Sequence, residues 1–471
     1  MSGRACVVGA GPNGLSAAIV LVQAGMQVEV LEGQPTVGGG ARTLELTLPG
    51  FQHDFGSAVY PLGAGSPFFS SLPLADHGLE WIQSPAALAH PLDDGTAVLL
   101  YRDLEQTNES LGVDGPAWVK LVRPFVERWS EFAPEALRPV SVLTSHPWLM
   151  ARFGLLSLQS AQTLATRFRQ QRTRALFAGL AAHSFLGLDE LLSGAMALMM
   201  AIPAHVVGWP IPRGGAQSIT NALCGLLSTF GGQVKASSPV ENLAALPDYE
   251  LFVCDVTPRQ LLQIAGQKLS QSYKRQLENY RYGPGVFKVD YALSNAIPWK
   301  ARECLLAATV HLGGTFEEIA ASEKLVRRGQ HADNPFVLLA QPSLFDNSRA
   351  PAGKHTAWAY CHVPNGSRVD ILEKLENQIE RFAPGFRERV LARRVFSPAD
   401  LEGMNANLIG GDIAGGVLDV RQFLFRPTRR HYATSAPDIF LCSSSTPPGG
   451  GVHGMCGYHA AHMALLRSGR D

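Results

Sequence analysis

Three glycines, Gly9, Gly11 and Gly14, stand in the spacing G-x-G-x-x-G, and an acid, Glu32, follows 18 positions after the last. The intervening residues are Ala10, Pro12 and Asn13. This set can hold a diphosphate and a ribose. Gly9 permits a sharp turn, Gly11 lets an anion approach bare backbone, and Gly14 lets a helix pack close to a strand. The N–H groups at the start of that helix would face the diphosphate, and Glu32 would accept from ribose hydroxyls. A second glycine run follows: Gly38, Gly39, Gly40, Ala41 and Arg42. Adjacent glycines bring N–H groups near an anion, and Arg42 can complement phosphate charge. The alternative is a flexible connection.

Those residues need a strand, a helix and a second strand to place them. Ala5–Val8 is a short apolar run. Leu15, Ala18, Ile19 and Val22 recur at the spacing of one helix face. Gly25 suits a helix C-terminus, and residues 28–31 form a second buried strand ending at Glu32. The pattern predicts a βαβ unit. Its apolar start reads as strand and helix, not as a secretory leader, because Gly9 to Gly14 break it.

Length and composition set the frame. The 471 residues suggest two or three domains. Apolar residues make up 46% and charged residues 17%, as in a core-rich globular chain. Lys+Arg and Asp+Glu are 40 each, so no global basic field draws the chain to nucleic acid or acidic membranes. The seven cysteines are scattered without C-x-x-C, which reads as reduced thiols and no zinc site. His453 lies in a loop apart from His459 and His462, and no acid stands near them in the sequence, so no metal site is expected.

After the second glycine run comes Gly50-Phe51-Gln52-His53-Asp54-Phe55-Gly56. With the opening unit and the paired glycines, it identifies a resemblance to the phytoene dehydrogenase-related branch of the FAD-dependent amine oxidase and carotenoid desaturase superfamily. The wider superfamily writes Gly-Gly-Arg in its second motif; here Gly40 takes the arginine's place and Arg42 comes two positions later.

The resemblance implies an α/β fold. An FAD-binding Rossmann-like domain of the glutathione-reductase type is discontinuous, and a mixed antiparallel-sheet and helical domain takes the substrate. The expected FAD parts are 1–70, 206–265 and 431–471; the substrate parts are 71–205 and 266–430. Residues 210–216 lead a helix through Phe230 and a strand at 232–235. This resembles the returning cofactor segment, in which backbone near Val240 contacts adenine. The strand at 251–254 joins the same parallel sheet. Residues 439–442, the Ser443–Gly454 loop and the helix after Met455 resemble the C-terminal flavin motif. They bring Ser444, Gly451, Val452, His453 and Gly454 to the flavin, with the helix dipole favouring negative charge there.

The remaining elements follow from pattern. Residues 88–101 read as a hairpin turning at Asp94-Gly95. Residues 117–132 and 151–180 read as amphipathic helices. Residues 191–207 are strongly apolar: a buried helix, a wall of an apolar cavity, or a shallow membrane-docking face. Strands are expected at 286–293, 304–312, 336–340 and 356–362. The 405–416 glycine loop either reaches the flavin edge or is a plain connection.

The expected function is an FAD-dependent oxidoreductase, phytoene dehydrogenase-like, that removes a hydride from a C–H bond of an apolar or amine-like small molecule. Catalytic residues stay unassigned. His453 and Tyr60 read either as chemical groups or as positioning and packing residues. Alternatives are a flavin amine oxidase and a non-catalytic lipid-binding chaperone on the same fold. A cytoplasmic protein is expected, with peripheral membrane contact left open, no nucleic-acid partner, no separate NAD(P)H site, and oligomeric state unassigned.

Overall fold

The fold is that of a computed structural model describing residues 3–141 and 143–470. Residues 1, 2, 142 and 471 fall inside the expected domain bounds and lie outside the described residues. The first strands are β1 (Arg4–Val8), β2 (Gln27–Leu31), β3 (Thr43–Glu45) and β4 (Gln52–Asp54). Next come β5 (Trp81–Ile82), β6 (Leu88–Pro91), β7 (Ala97–Leu100) and β8 (Ile211–Pro212). Then follow β9 (Gln233–Lys235), β10 (Leu251–Cys254), β11 (Gly285–Leu293) and β12 (Thr309–Leu312). The last are β13 (Val337–Ala340), β14 (His355–Val363), β15 (Val390–Phe396) and β16 (Ile439–Leu441).

Five strands from three distant stretches form one sheet, in the order β16-β10-β1-β2-β9. Every pair in it is parallel. Its strands are short and apolar, as expected for a sheet covered on both faces. One face carries the helices Pro12–Gln23, Gln217–Thr229 and Met455–Ser468, which share an apolar core with Val7, Val30, Val253 and Phe440.

The second sheet has seven strands, β15-β11-β14-β13-β12-β6-β7. Its pairs are antiparallel except β12 with β6. The alternation of β11 and β14 gives it two unlike faces. Phe287, Val289, Tyr291, Ala359 and Cys361 pack in an apolar core beneath the helix Leu372–Phe382. Lys288, Asp290, Trp358, Tyr360 and His362 lie on the opposite face. That face turns toward Phe55, Ala58, Ile413 and Ala414.

The apolar 191–207 run forms the helix Ser193–Val206. Ala197, Leu198, Ala201, Ile202 and Ala204 are sealed in a helical core with Phe177 and Trp118. The buried-helix reading describes it, and the helix continues through Pro203, whose carbonyl accepts from Val207 N at 2.9 Å. No helix among the described residues is long and apolar enough to cross a membrane.

Three expected elements differ. The 117–132 stretch is two helices, Gly115–Val126 and Trp129–Ala136, parted at Glu127 and Arg128. The 304–312 strand is only β12, because Arg302–Leu306 is a short 3-10 helix. Gln341 Nε2 donates to the carbonyls of Cys304 and Ala307 at 2.7 and 2.8 Å, which takes them out of the ladder. The 151–180 stretch is three helices, Pro147–Ser157, Ala161–Ala165 and Gln171–Ala182. Ser160 caps the second, accepting from Thr163 N. Asp114 accepts from the N–H groups of Arg169 and Gln170, both at 2.8 Å, and fixes the break before the third.

Candidate functional site

β1 ends at the glycine turn, and the first helix opens at Pro12 with Gly11 as its N-cap and no side-chain cap. Pro12 brings no N–H, so the first turn offers an anion the N–H of Asn13, while Leu15 N donates to Gly11 O at 2.9 Å. Gly14 is required sterically: a methyl group there would lie 2.0 Å from the Gly9 carbonyl oxygen. Gly9 has φ +99°, open to glycine at little cost. Glu32 is buried beside the turn. Its Oε2 accepts from Ala10 N at 2.8 Å and its Oε1 from Gln34 N at 2.9 Å.

The second glycine run closes on the first. Gly38 N donates to the Ala10 carbonyl at 2.9 Å, and a methyl on Gly39 would meet Gly11 Cα at 3.4 Å. Gly40 lies against Gly56, where a methyl would come within 2.4 Å of the Gly40 carbonyl oxygen. Ala41 is buried, and its carbonyl accepts from Thr220 Oγ1 at 3.0 Å. Arg42 turns to backbone: Nε donates to Gly39 O and Nη2 to Met404 O, both at 2.8 Å. Its guanidinium lies over Phe55, 4.8 Å from the ring centroid. Val240 is half-buried in the apolar cluster that holds Leu31. Two residues before it, Ser238 N donates to the Glu32 carbonyl at 2.7 Å. Glu32, Ser238 and Val240 thus meet at the end of β2.

The C-terminal loop meets the same turn. A methyl on Gly454 would lie 2.3 Å from Ser16 Oγ, and one on Gly457 would lie 1.8 Å from the Asn13 carbonyl oxygen. Gly451 has φ +140° and Val452 has φ +53°. Val452 O approaches Gly63, where a methyl would lie 3.0 Å away. His453 O accepts from Ser66 Oγ at 2.6 Å, and its Nδ1 accepts from Met455 N at 3.1 Å. Burial lowers the His453 imidazole to about 4, so it is neutral at pH 7. Tyr60 is buried, its hydroxyl bonded to Ser57 O and its pKa raised by burial. Both are positioned, unionised groups. The 405–416 loop packs on this end: Ser445 Oγ donates to Gly415 O at 2.9 Å, and a methyl on Gly415 would lie 2.8 Å from Ser444 Cβ.

Several residues here were not singled out by sequence. Asp255, at the end of β10, enters the turn. Its Oδ2 accepts from Gly14 N at 3.0 Å, and a methyl on Gly11 would lie 2.7 Å from that oxygen. Arg426 is buried, with Nη2 donating to Ala414 O at 2.7 Å. Its Nε and Nη1 have no partner. A methyl on Gly449 would lie 3.6 Å from Nη1.

The polar face of the second sheet is the other missed feature. Lys288 and Asp290 form a buried ion pair. Burial raises the Asp290 carboxyl to about 6 against the opposing pull of Lys288. His53 Nδ1 stands 3.7 Å from Asp290 Oδ1; burial and the Lys288 charge lower its imidazole to about 3. Trp358 and Tyr360 stack with centroids 5.6 Å apart. His362 Nδ1 bonds Glu323 Oε2 at 2.7 Å, under the ring of Phe185 at 4.1 Å. Trp358 Nε1, His362 Nε2 and Asp290 Oδ1 are buried with no hydrogen-bond partner among the described residues. Polar residues at alternate positions of an otherwise apolar strand were the available signal: Lys288 and Asp290 flank Val289.

The cradle tests well against a dinucleotide. Its glycines leave space that any Cβ would fill, Asn13 Oδ1 is buried without a partner, and the Arg426 nitrogens supply unused donors at the glycine loop. Two acids stand in it: Glu32, bonded to Ala10 N and Gln34 N, and Asp255, which lies over Gly11 and has the wrong charge for a phosphate when ionised.

Residues 7–70 match the NAD(P)-binding Rossmann-like domain family. That span takes in most of the βαβ unit, with the glycine turn, the first helix and β2. The chain is 25% identical to mouse pyridine nucleotide-disulfide oxidoreductase domain-containing protein 2, covering 98% of this chain and 93% of the relative. It is 24% identical to a neurosporene-forming phytoene desaturase of Rhodobacter capsulatus, covering 97% and 92%. Among solved structures, an oxidoreductase from Methanosarcina mazei superposes with a TM-score of 0.65 at 17% identity, covering 98% and 99%. Putrescine oxidase superposes with a TM-score of 0.61 at 17% identity, covering 99% of each chain. These likenesses bear out the superfamily resemblance and the fold class, and with them the reading as an enzyme: the chain is an oxidoreductase.

Proposed function

We propose that the chain binds one FAD non-covalently and removes a hydride from a C–H bond of a small organic substrate. The observation that carries this reading is the meeting of two glycine loops more than 400 positions apart, through Gly454 on Ser16 and Gly457 on Asn13. When bound, FAD supplies the hydride acceptor. The Asn13 N–H at the start of the first helix and the N–H groups of the 38–42 run bind the diphosphate. Glu32 takes the ribose, and backbone at Val240 takes the adenine. The loop of Ser444 and Gly451–Gly454 holds the ring, with Arg426 and the Met455–Ser468 helix dipole offsetting negative charge. On this reading the cofactor domain is 1–70, 206–265 and 431–471, and 71–205 with 266–430 hold the substrate. Trp358 and Tyr360 form the apolar wall that excludes water. Acid precipitation should release FAD to the supernatant, and anaerobic substrate should bleach its visible absorption. Colourless protein after incubation with FAD refutes the reading.

For the substrate, the relatives named phytoene desaturase point to hydrocarbons and putrescine oxidase to amines. The unpartnered Trp358 Nε1, His362 Nε2 and Asp290 Oδ1 favour the amine-like reading, because a pure hydrocarbon would leave them unsatisfied. The Glu323 carboxylate orients His362 so that Nε2 can take a proton from a substrate N–H. Bleaching by a primary amine and not by phytoene in detergent supports this choice; the reverse overturns it. Any peripheral membrane contact would fall to the exposed Leu143, Trp148 and Leu155, not to the sealed 193–206 helix.

A further inference from the structure

We propose that Asp255 is a cofactor-binding residue that acts only in its protonated form, so that the chain takes up a proton when it binds FAD. The proposal rests on the FAD reading above.

The geometry places the carboxyl where the diphosphate must lie. Gly11 is the position whose missing side chain opens the backbone to an anion, and the space above it is taken by Asp255 Oδ2. The same oxygen accepts from Gly14 N at 3.0 Å, at the N-terminal turn of the first helix. Asp255 is held rigidly there. Its own N–H donates to Val8 O at 2.7 Å, and its carbonyl accepts from Asn407 Nδ2 at 2.9 Å.

No cation offsets it among the groups facing it. From the end of β2 comes another acid, Glu32. From β10, from the residue after β16 and from the C-terminal helix come the thiols of Cys254, Cys442 and Cys456, all pushed up by burial and therefore neutral. Arg42, on the 38–42 loop, is held by Gly39 O and Met404 O and couples to Glu32. Burial, with the Glu32 charge, raises the Asp255 carboxyl to about 7, against the pull of the Gly14 N–H. An ionised Asp255 would confront two phosphate charges in a dry site. A protonated carboxyl keeps an acceptor for Gly14 N–H and gains a donor for a phosphate oxygen.

The neighbouring histidines cannot mimic this effect. Burial holds His453 and His459 at about 4, so both stay neutral throughout the relevant range. FAD itself does not titrate there.

The test is the dissociation constant for FAD, read by quenching of FAD fluorescence from about pH 6 to about pH 8.5. With a carboxyl near 7, wild-type affinity should fall about thirtyfold across that range. Asp255→Asn should bind equally at both ends, and at pH 8.5 more tightly than wild type. Calorimetry of the wild type at about pH 7.5, in two buffers of different ionisation enthalpy, should show about three quarters of a proton taken up per FAD. That measurement needs no variant to fold. A flat wild-type profile, an unchanged slope in Asp255→Asn, or no proton uptake overturns the proposal and leaves FAD binding standing. Failure to bind FAD at any pH overturns the functional reading and the proposal together.

Discussion

Two Gly→Ala substitutions in helices should move stability in opposite directions. Gly457 lies in the helix Met455–Ser468, facing the first helix. A methyl there would meet Asn13 O at 1.8 Å, Asn13 C at 2.8 Å and Ala17 N at 2.9 Å. All three are backbone atoms that cannot rotate away. Carbon contacts settle near ~3.5 Å, so the two helices must part by about 1–1.5 Å along this seam. Overpacking of that kind costs about 1–3 kcal/mol. The gain in helix propensity returns about 1 kcal/mol. Gly457→Ala should therefore be destabilising by up to about 2 kcal/mol. Gly154 lies in the helix Pro147–Ser157 with nothing near its Cβ position. Gly154→Ala keeps the propensity gain and should be stabilising by up to about 1 kcal/mol.

The assay must be local, because the chain has more than one cooperative unit. Native-state hydrogen exchange over 12–23 and 455–468 reads the opening of the seam directly. Gly457→Ala should lower protection in both helices together, by up to about thirtyfold for 2 kcal/mol. It should also weaken FAD binding, since Asn13 belongs to the cradle. Gly154→Ala should leave those amides and FAD affinity unchanged. Equal or greater protection in Gly457→Ala would show that the two helices do not meet at this glycine, and the joining of the two loops would fail with it.

Further outcomes follow from other contacts. Glu32→Ala removes the acceptors of Ala10 N and Gln34 N along with any ribose bond; FAD affinity should fall about ten- to a hundredfold, by titration. Gly451→Val sets a branched residue at φ +140°, with Cβ 2.8 Å from Leu62 Cδ1 and 3.0 Å from His453 Cδ2; FAD should be lost with circular dichroism unchanged. Lys288→Met leaves Asp290 buried and unpaired, so unfolding free energy at pH 8 should drop about 3–5 kcal/mol, and adding Asp290→Asn should restore much of it. Equal stability of the single and double variants would show that the pair is not coupled.

What was legible in the sequence is what short-range pattern carries. Gly9, Gly11, Gly14 and Glu32 declare themselves because the turn, the helix and the acid fall within one βαβ unit. The strand–loop–helix unit at 439–468 declares itself for the same reason. What failed depended on distant partners. The break in 151–180 is made by Asp114, and the loss of strand at 304–306 by Gln341; neither is visible from its neighbours in the chain. Asp255 carries no signal in its own neighbourhood, because the glycine whose N–H it accepts lies 241 positions away. The polar face of β11 and β14 escaped because apolar residues share it: Val286, Trp358 and Tyr360 lie on the same side as Lys288 and Asp290, which blurs the alternation.

These features share one electrostatic logic. The proposed cofactor end uses few formal charges. Its donors are N–H groups at a helix start and in glycine runs, whose dipoles cost no desolvation of a full cation. Its histidines are neutral at pH 7, and so are its thiols. Against such a background the ionisation of one side chain changes the charge of the whole pocket. Asp255 is that side chain, since the site's other anion, Glu32, is already satisfied by two N–H groups. The sheet face beyond is built the other way. There Lys288 and Asp290 neutralise each other, and the polar atoms left over point at what the site must still receive. On the proposed reading, one end is thus matched to a ligand that brings its own charge, and the other to a ligand that brings hydrogen bonds.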